Sequence, residues 1–243
     1  MATTLTGFPI ITGADVYSNL ATAGAAIGTY AETADGRGFR YALNGAVDTV
    51  PGKVYQGPAE DTTNLSPSGG LSVSAAAVGA TQVTLTSSVT IAANLLAGGY
   101  LAVVVTPGAG QLYKIASNTA VSAAAGCVIT LEDPIRVALT TSSKVDLRKN
   151  LYSGIVVAPA TMTNSCVGVP VTIVTAAYYG WIQTKGITSC LQTGSGTCGT
   201  ALGVLQGGTI GSLAPAIAGT PILAYAAGTN ITGEYGTVFM VID

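Results

Sequence analysis

The chain of 243 residues carries nine Lys or Arg and eleven Asp or Glu, 8% charged against about 25% in an ordinary soluble domain, and no His. Without His there is no His-based triad, no His metal ligand and no ordinary general base near neutral pH. A net charge of -2 with scattered basic residues also excludes the clustered Lys and Arg of a phosphate-binding footprint, so nucleic acid is not an expected partner.

The mean hydropathy of +0.54 raises the question of a membrane. Residues 62–113 and 186–233 hold no charge at all, yet the longest apolar run, Leu95 to Val105, has 11 residues and includes Gly98-Gly99. A spanning helix needs about 20. With 6% aromatic residues the girdles of a transmembrane barrel are missing too, so no membrane partner is expected. The first basic residue is Arg37, and a secretory leader is therefore not expected.

In chain order, residues 1–36 show neither a period of 2 nor one of 3.6. Small residues dominate around the anchors Phe8, Pro9, Ile10, Ile11, Tyr17 and Tyr30. Such a segment buries little of itself and reads as an extended N-terminal arm that orders against a partner, with packing along its own domain as the competing reading. From Gly38, Phe39, Tyr41 and Leu43 alternate with Arg40 and Ala42, and Asn44-Gly45 and Pro51-Gly52 supply turns, which predicts a three-stranded meander to Gln56. Residues 61–80, with Pro67, Gly69-Gly70 and a run of small residues, read as a linker.

Residues 81–150 carry the strongest strand signals. Val83 and Leu85 alternate with polar neighbours, Leu101 to Val105 is apolar throughout, and Cys127, Ile129 and Leu131 share one face. Lys144-Val145-Asp146-Leu147-Arg148 puts three charges opposite two apolar residues. Residues 151–243 continue in strands: 167–174, where Pro170 favours an edge or bulge, 178–185 with the single Trp181, and 236–243. The fold class is all-β: the arm, a base domain of 37–60 with 151–243, and an inserted lobe of 81–150, each lobe a barrel or sandwich.

No residue pattern carries catalysis. Gly194-Ser195-Gly196-Thr197-Cys198-Gly199 satisfies G-x-G-x-x-G, but strand residues follow it and no acid appears before Glu234. Glu60-Asp61 and Glu132-Asp133 are adjacent pairs, which an extended chain points to opposite faces. No enzyme, cofactor or metal is expected. Tyr178, Tyr179 and Trp181 read as core or interface packing, with a carbohydrate-stacking platform as the sharper alternative. Cys127 and Cys166 read as small buried hydrophobes. Cys190 and Cys198 flank a seven-residue loop that a disulfide could close, against which stands the missing export signal.

Three stretches together carry a resemblance: Ala34 to Tyr41 with Pro51 to Tyr55; Gly98 to Leu101 with Gly108 to Ile115 and Ile129 to Pro134; and Tyr179 to Gly186 with Gly233 to Val238. They resemble the capsid decoration (cement, or head-stabilising) proteins of tailed bacteriophages. The resemblance implies a non-enzymatic virion protein on the outer surface of an icosahedral head, assembled in the host cytoplasm. It implies a homotrimer bound to the major capsid protein, with the N-terminal arm reaching onto the lattice. The runner-up is a head fibre, adhesin or tail component with a glycan- or receptor-binding β domain.

Overall fold

The computed structural model describes residues 9–86, 90–122, 126–205, 207–229 and 231–243. The first part of the chain forms α1 (Gly13–Val16), β1 (Tyr30–Glu32), β2 (Gly38–Asn44) and β3 (Tyr55–Gln56). Next come β4 (Leu71–Ser72), β5 (Gln82–Thr86), β6 (Tyr100–Val105), β7 (Leu112–Asn118), β8 (Gly126–Leu131) and β9 (Lys144–Arg148). The last part supplies β10 (Ser153–Val157), β11 (Cys166–Pro170), β12 (Tyr179–Leu191), β13 (Ala201–Gly203), β14 (Ala214–Pro215), β15 (Ala224–Ala226) and β16 (Tyr235–Val241). The described residues are nearly all β, as their patterning predicts. They fall into two compact units, Met1–Pro58 with Leu151–Asp243, and Ala59–Asn150.

The first unit is built on a closed five-stranded barrel in the order β2-β10-β3-β11-β12, with β12 returning to β2. So few strands enclose a narrow interior that side chains must fill. Every strand contributes to its apolar core: Ala42, Tyr55, Ile155, Val167 and Ile182 are all at most 3% exposed. Period 2 then turns Phe39, Tyr41 and Trp181 to the outside of the wall.

That outward stripe explains the N-terminal segment. Residues 9–36 do not extend away from the unit; they lie on the stripe and bury it together with Val16 and Ala31. The Tyr41 hydroxyl accepts a hydrogen bond from Gly24 N at 2.9 Å, Leu20 exchanges backbone hydrogen bonds with Tyr179, and β1 pairs with β2. Thr12 caps α1 reciprocally with Asp15. The segment looks featureless because its partners are aromatic rings elsewhere in the chain.

The predicted meander of 38–56 is not formed. Between β2 and β3 the chain is held by side chains instead of a ladder: Asn44 Nδ2 donates to Val47 O and Val174 O, and Thr49 Oγ1 both accepts from Val174 N and donates to Thr172 O. Pro170 is the last residue of β11, where its missing N–H costs no ladder bond, and a register shift sits between Cys166 and Gly168. That strand is no edge, since β3 and β12 flank it.

Beyond the barrel, β12 continues and pairs with β16, then β15, β13 and β14 follow. Cys190, Val238, Met240, Ala224 and Leu202 form the core beneath this sheet.

The second unit is a six-stranded sheet ordered β4-β9-β6-β7-β8-β5. It curls until Val73, just past β4, bridges Leu85 in β5. The alternation is as expected: Val83, Leu85, Leu101, Ile129, Leu131, Val145 and Leu147 are buried. Residues 61–80 are not a linker. Leu65 and Val73 belong to the core, Leu65 O accepts from Leu147 N, and Asp61 Oδ1 closes a turn by accepting from Asn64 N.

Gly168 tests the barrel wall. Its φ is +144°, and an added Cβ would stand 2.6 Å from Gln183 O on the neighbouring strand. Gly168→Ala is expected to cost about 2–4 kcal/mol in urea unfolding followed by Trp181 fluorescence. Gly36→Ala, strained at φ +81° but with open space around it, is expected to cost about 1–2 kcal/mol. Equal losses would contradict the close approach of β11 and β12.

Candidate interaction surface

The sheet that β12 forms with β16 and β15 covers a core on one side only. On its other side Ile187 stands directly across from Phe239, and Phe239 directly across from Tyr225. These three are 48%, 43% and 41% exposed, and Tyr235 and Val241 extend the strip along β16. Tyr235 stands opposite Leu191 and Val241 opposite Lys185, with the uncharged pair Ser189–Thr237 between Tyr235 and Phe239, so the strip ends at the charge of Lys185. An uncharged strip three strands wide loses little solvation when covered, and apolar surface of this kind marks a site of association.

A groove of about 350 Å³ adjoins the strip. Tyr17, Pro51, Pro170, Ile187 and Tyr235 line it together with the polar Arg37, Gln183, Thr188 and Ser189. The groove exists because β12 bulges between Gln183 and Lys185, and Gly186 turns at φ +88° beneath the stem of Arg37. Gly52 is the second required glycine: at φ +76° it lets the Tyr235 ring lie against the backbone, where a Cβ would stand 2.6 Å from the ring.

Four of the unit's charges, Glu32, Arg40, Lys185 and Asp243, gather around a cavity of about 360 Å³. Arg40 grips Asp243 with Nε at 3.0 Å and Nη2 at 2.9 Å, donates from Nη1 to Gly28 O, and lies over the rings of Tyr30 and Tyr152. Glu32 Oε1 accepts from Tyr30 Oη at 2.7 Å and from Lys185 Nζ at 3.0 Å. Burial, reinforced by the Glu32 carboxylate, pushes the Tyr30 phenol up to about 12. Hydrogen bonds from Tyr30 and then Lys185 hold Glu32 below its ordinary range. Burial alone would raise Asp243, but the Arg40 hydrogen bonds and charge outweigh it and the carboxyl is lowered. Every charge here is matched, so the cluster ties the C-terminal strand to β2.

The residues expected to make a capsid-binding arm are dispersed. Phe8 lies outside the described residues. Ile10 and Tyr17 are exposed at 77% and 61%, while Pro9 and Ile11 are used in backbone pairing with Glu32 and Tyr30 belongs to the charged corner. Cys190 and Cys198 are not bonded. Cys190 is fully buried in the core beneath β12, where burial pushes its thiol far up, and Cys198 is exposed in the loop before β13, so their side chains face different environments. Trp181, 7% exposed, packs edge-on to Tyr41 with ring centroids 5.0 Å apart, and Tyr41 stacks on Tyr179; this cluster is wall packing, not a platform. The apolar strip and the Gln183 groove were not legible, because both need the register of β12 on β16.

Among the described residues no three or more Cys, Asp or Glu stand together as a metal site would require, and no helix is long and apolar enough to cross a membrane. No protein-family model, no curated protein and no solved structure matches the chain.

The Arg40–Asp243 pair has a pH signature. Because the folded carboxyl is held low, its contribution is complete above the ordinary aspartate value of about 4 and is lost as pH falls through the lower folded value. Arg40→Gln is expected to lose about 1–2 kcal/mol at pH 7, discounted for partial exposure, with the loss shrinking by pH 2. An equal loss at both pH values would contradict a stabilising ion pair.

Proposed function

We propose that this chain is a structural virion protein that decorates the outside of an icosahedral bacteriophage head and stabilises the lattice of the major capsid protein, acting as a homotrimer. The observation that carries the reading is the uncharged strip of Ile187, Phe239 and Tyr225 across three strands of one sheet, left open in the isolated chain. An exposed apolar strip across paired strands, with Ile187, Phe239 and Tyr225 side by side, favours covering by other subunits. The resemblance of residues 34–41, 98–101, 108–115 and 179–186 to capsid decoration proteins supports the same reading. Ile10 and Tyr17, exposed on the N-terminal segment, add apolar contact surface.

The attachment differs from a free arm. Residues 9–36 cover Phe39, Tyr41 and Trp181, so their removal would strip the barrel wall instead of merely releasing a tether. The informative variant is therefore on the strip.

Purified chain mixed with heads lacking it should bind saturably, and Phe239→Asp should weaken that binding at least ten-fold while leaving the Trp181 fluorescence and unfolding midpoint unchanged. The charged side chain would be buried unpaired at the interface, a cost that easily reaches ten-fold. Failure of the wild-type chain to bind heads would contradict the proposal. Binding of isolated chain to glycans instead would favour the fibre or adhesin reading.

A further inference from the structure

The groove beside the strip combines two exposed rings with hydrogen-bonding groups that the chain itself does not use. Tyr17 and Tyr235, which line it, are 61% and 51% exposed. Both are held in place: Tyr17 is the C-cap residue of α1 with its N–H on Gly13 O, and the Tyr235 ring rests against the backbone at Gly52. Thr188 and Ser189 line the groove from β12, and among the described residues neither hydroxyl has a hydrogen-bond partner. Arg37 is the one charged residue of the lining, and its charge is already matched, since Nε donates to Asp35 Oδ2 at 2.8 Å. Its two Nη groups have no partner among the described residues. Gln183 is wholly inaccessible and offers the groove nothing: its Oε1 is unpaired, while its Nε2 donates to Lys185 O and Ile187 O and pins the stretch that leads into Thr188 and Ser189.

We infer that this groove binds a neutral sugar, a hexopyranose seated against the rings of Tyr17 and Tyr235 with its hydroxyls on Thr188, Ser189 and the Nη groups of Arg37. A pyranose has an apolar C–H face and a rim of hydroxyls, and a fixed, open tyrosine ring offers the matching pair of an apolar body and a polar tip. Thr and Ser hydroxyls donate and accept, as sugar hydroxyls do, so each meets a sugar in either sense. Arg37 adds donors alone, for the sugar oxygens that accept. A phosphate or carboxylate ligand calls for a cation that is free, and the one cation here is held by Asp35. A wholly apolar ligand would cover the Thr188, Ser189 and Arg37 groups without pairing them. A volume of about 350 Å³ lies at the small end of ligand sites, room for sugar rings but not for a large cofactor. Ile187 and Tyr235 belong to the strip as well, so a sugar and a subunit covering the strip compete at this edge.

This inference goes beyond the head-decoration reading and stands or falls without it. The test is calorimetric titration of the intact free chain with cellohexaose, maltohexaose, mannohexaose and N-acetylchitohexaose, and with hexagalacturonate as the acidic control. The expected result is binding of at least one neutral hexasaccharide, weakened about ten-fold by Tyr17→Ala and by Thr188→Val. Tyr17 is exposed and valine keeps the branched shape of threonine, so neither variant threatens the fold and each checks the other. Phe239→Asp, on the strip outside the groove, should leave sugar binding unchanged. No binding of any neutral hexasaccharide, binding that both groove variants leave intact, or binding of hexagalacturonate alone would each overturn the inference. Sugar binding that only Phe239→Asp abolishes would also overturn it, by moving the sugar onto the strip. Heads that fail to bind a chain whose groove still binds sugar would remove the head-decoration reading and keep the groove; heads bound by a chain that takes no sugar would do the reverse.

Discussion

The first unit depends on how β12 changes partners. Lys185 pairs with Gly38 in β2 and with Val241 in β16, so at this residue one strand stops closing a barrel and starts a second, open sheet. Up to Gln183 the strand is covered on both faces, by the barrel interior and by the N-terminal segment. After Gly186 it is covered on one face only. The bulge between Gln183 and Lys185 and the positive φ of Gly186 accomplish the transfer. The exposed strip, the Gln183 groove and the Lys185–Glu32 contact all lie within a few residues of it, which is why structure and proposed contact surface cannot be separated there.

The barrel makes a second demand. Five strands leave a narrow interior, and the large aromatic residues of β2 and β12 face outward. They would be an aggregation hazard if left open. Residues 9–36 solve this with small side chains, which follow the wall closely and lose little rotamer entropy on ordering. The same composition that made the segment look like a free arm suits it to lie flat against tyrosine and tryptophan rings.

What the residue pattern revealed follows from local physics. Period-2 alternation located β5, β7, β8 and β9, apolar runs located β6 and β16, and the Lys144–Arg148 stretch has its charges and apolar residues on the faces predicted. Alternation reports a strand with one wet face; it is silent where both faces are covered or where long-range hydrogen bonds replace the ladder. Hence 46–50, tied down by Asn44 and Thr49, has the pattern of a strand, and 61–80 has the composition of a linker although Leu65 and Val73 anchor it in a core. The outward strip could be half read, since 236–243 is a clear strand, but which neighbour faces Phe239 depends on a register that only the fold supplies. The unpaired Gln183 acceptor has no signature in sequence at all.

Low charge also takes on a location. Residues 186–233 carry no charge, and β12 beyond its bulge, β13, β14 and β15 come from that stretch. Four charges of this unit meet in the Arg40–Asp243 and Lys185–Glu32 pairs, where each is matched. The uncharged strip of Ile187, Phe239 and Tyr225 is cheap to dehydrate, and it is the surface proposed to meet other subunits. The most direct measurement is the copy number of this chain in purified virus particles, by quantitative mass spectrometry against the major capsid protein. Decoration of the lattice predicts hundreds of copies per head; a handful per particle would contradict it and place the chain in a fibre or tail.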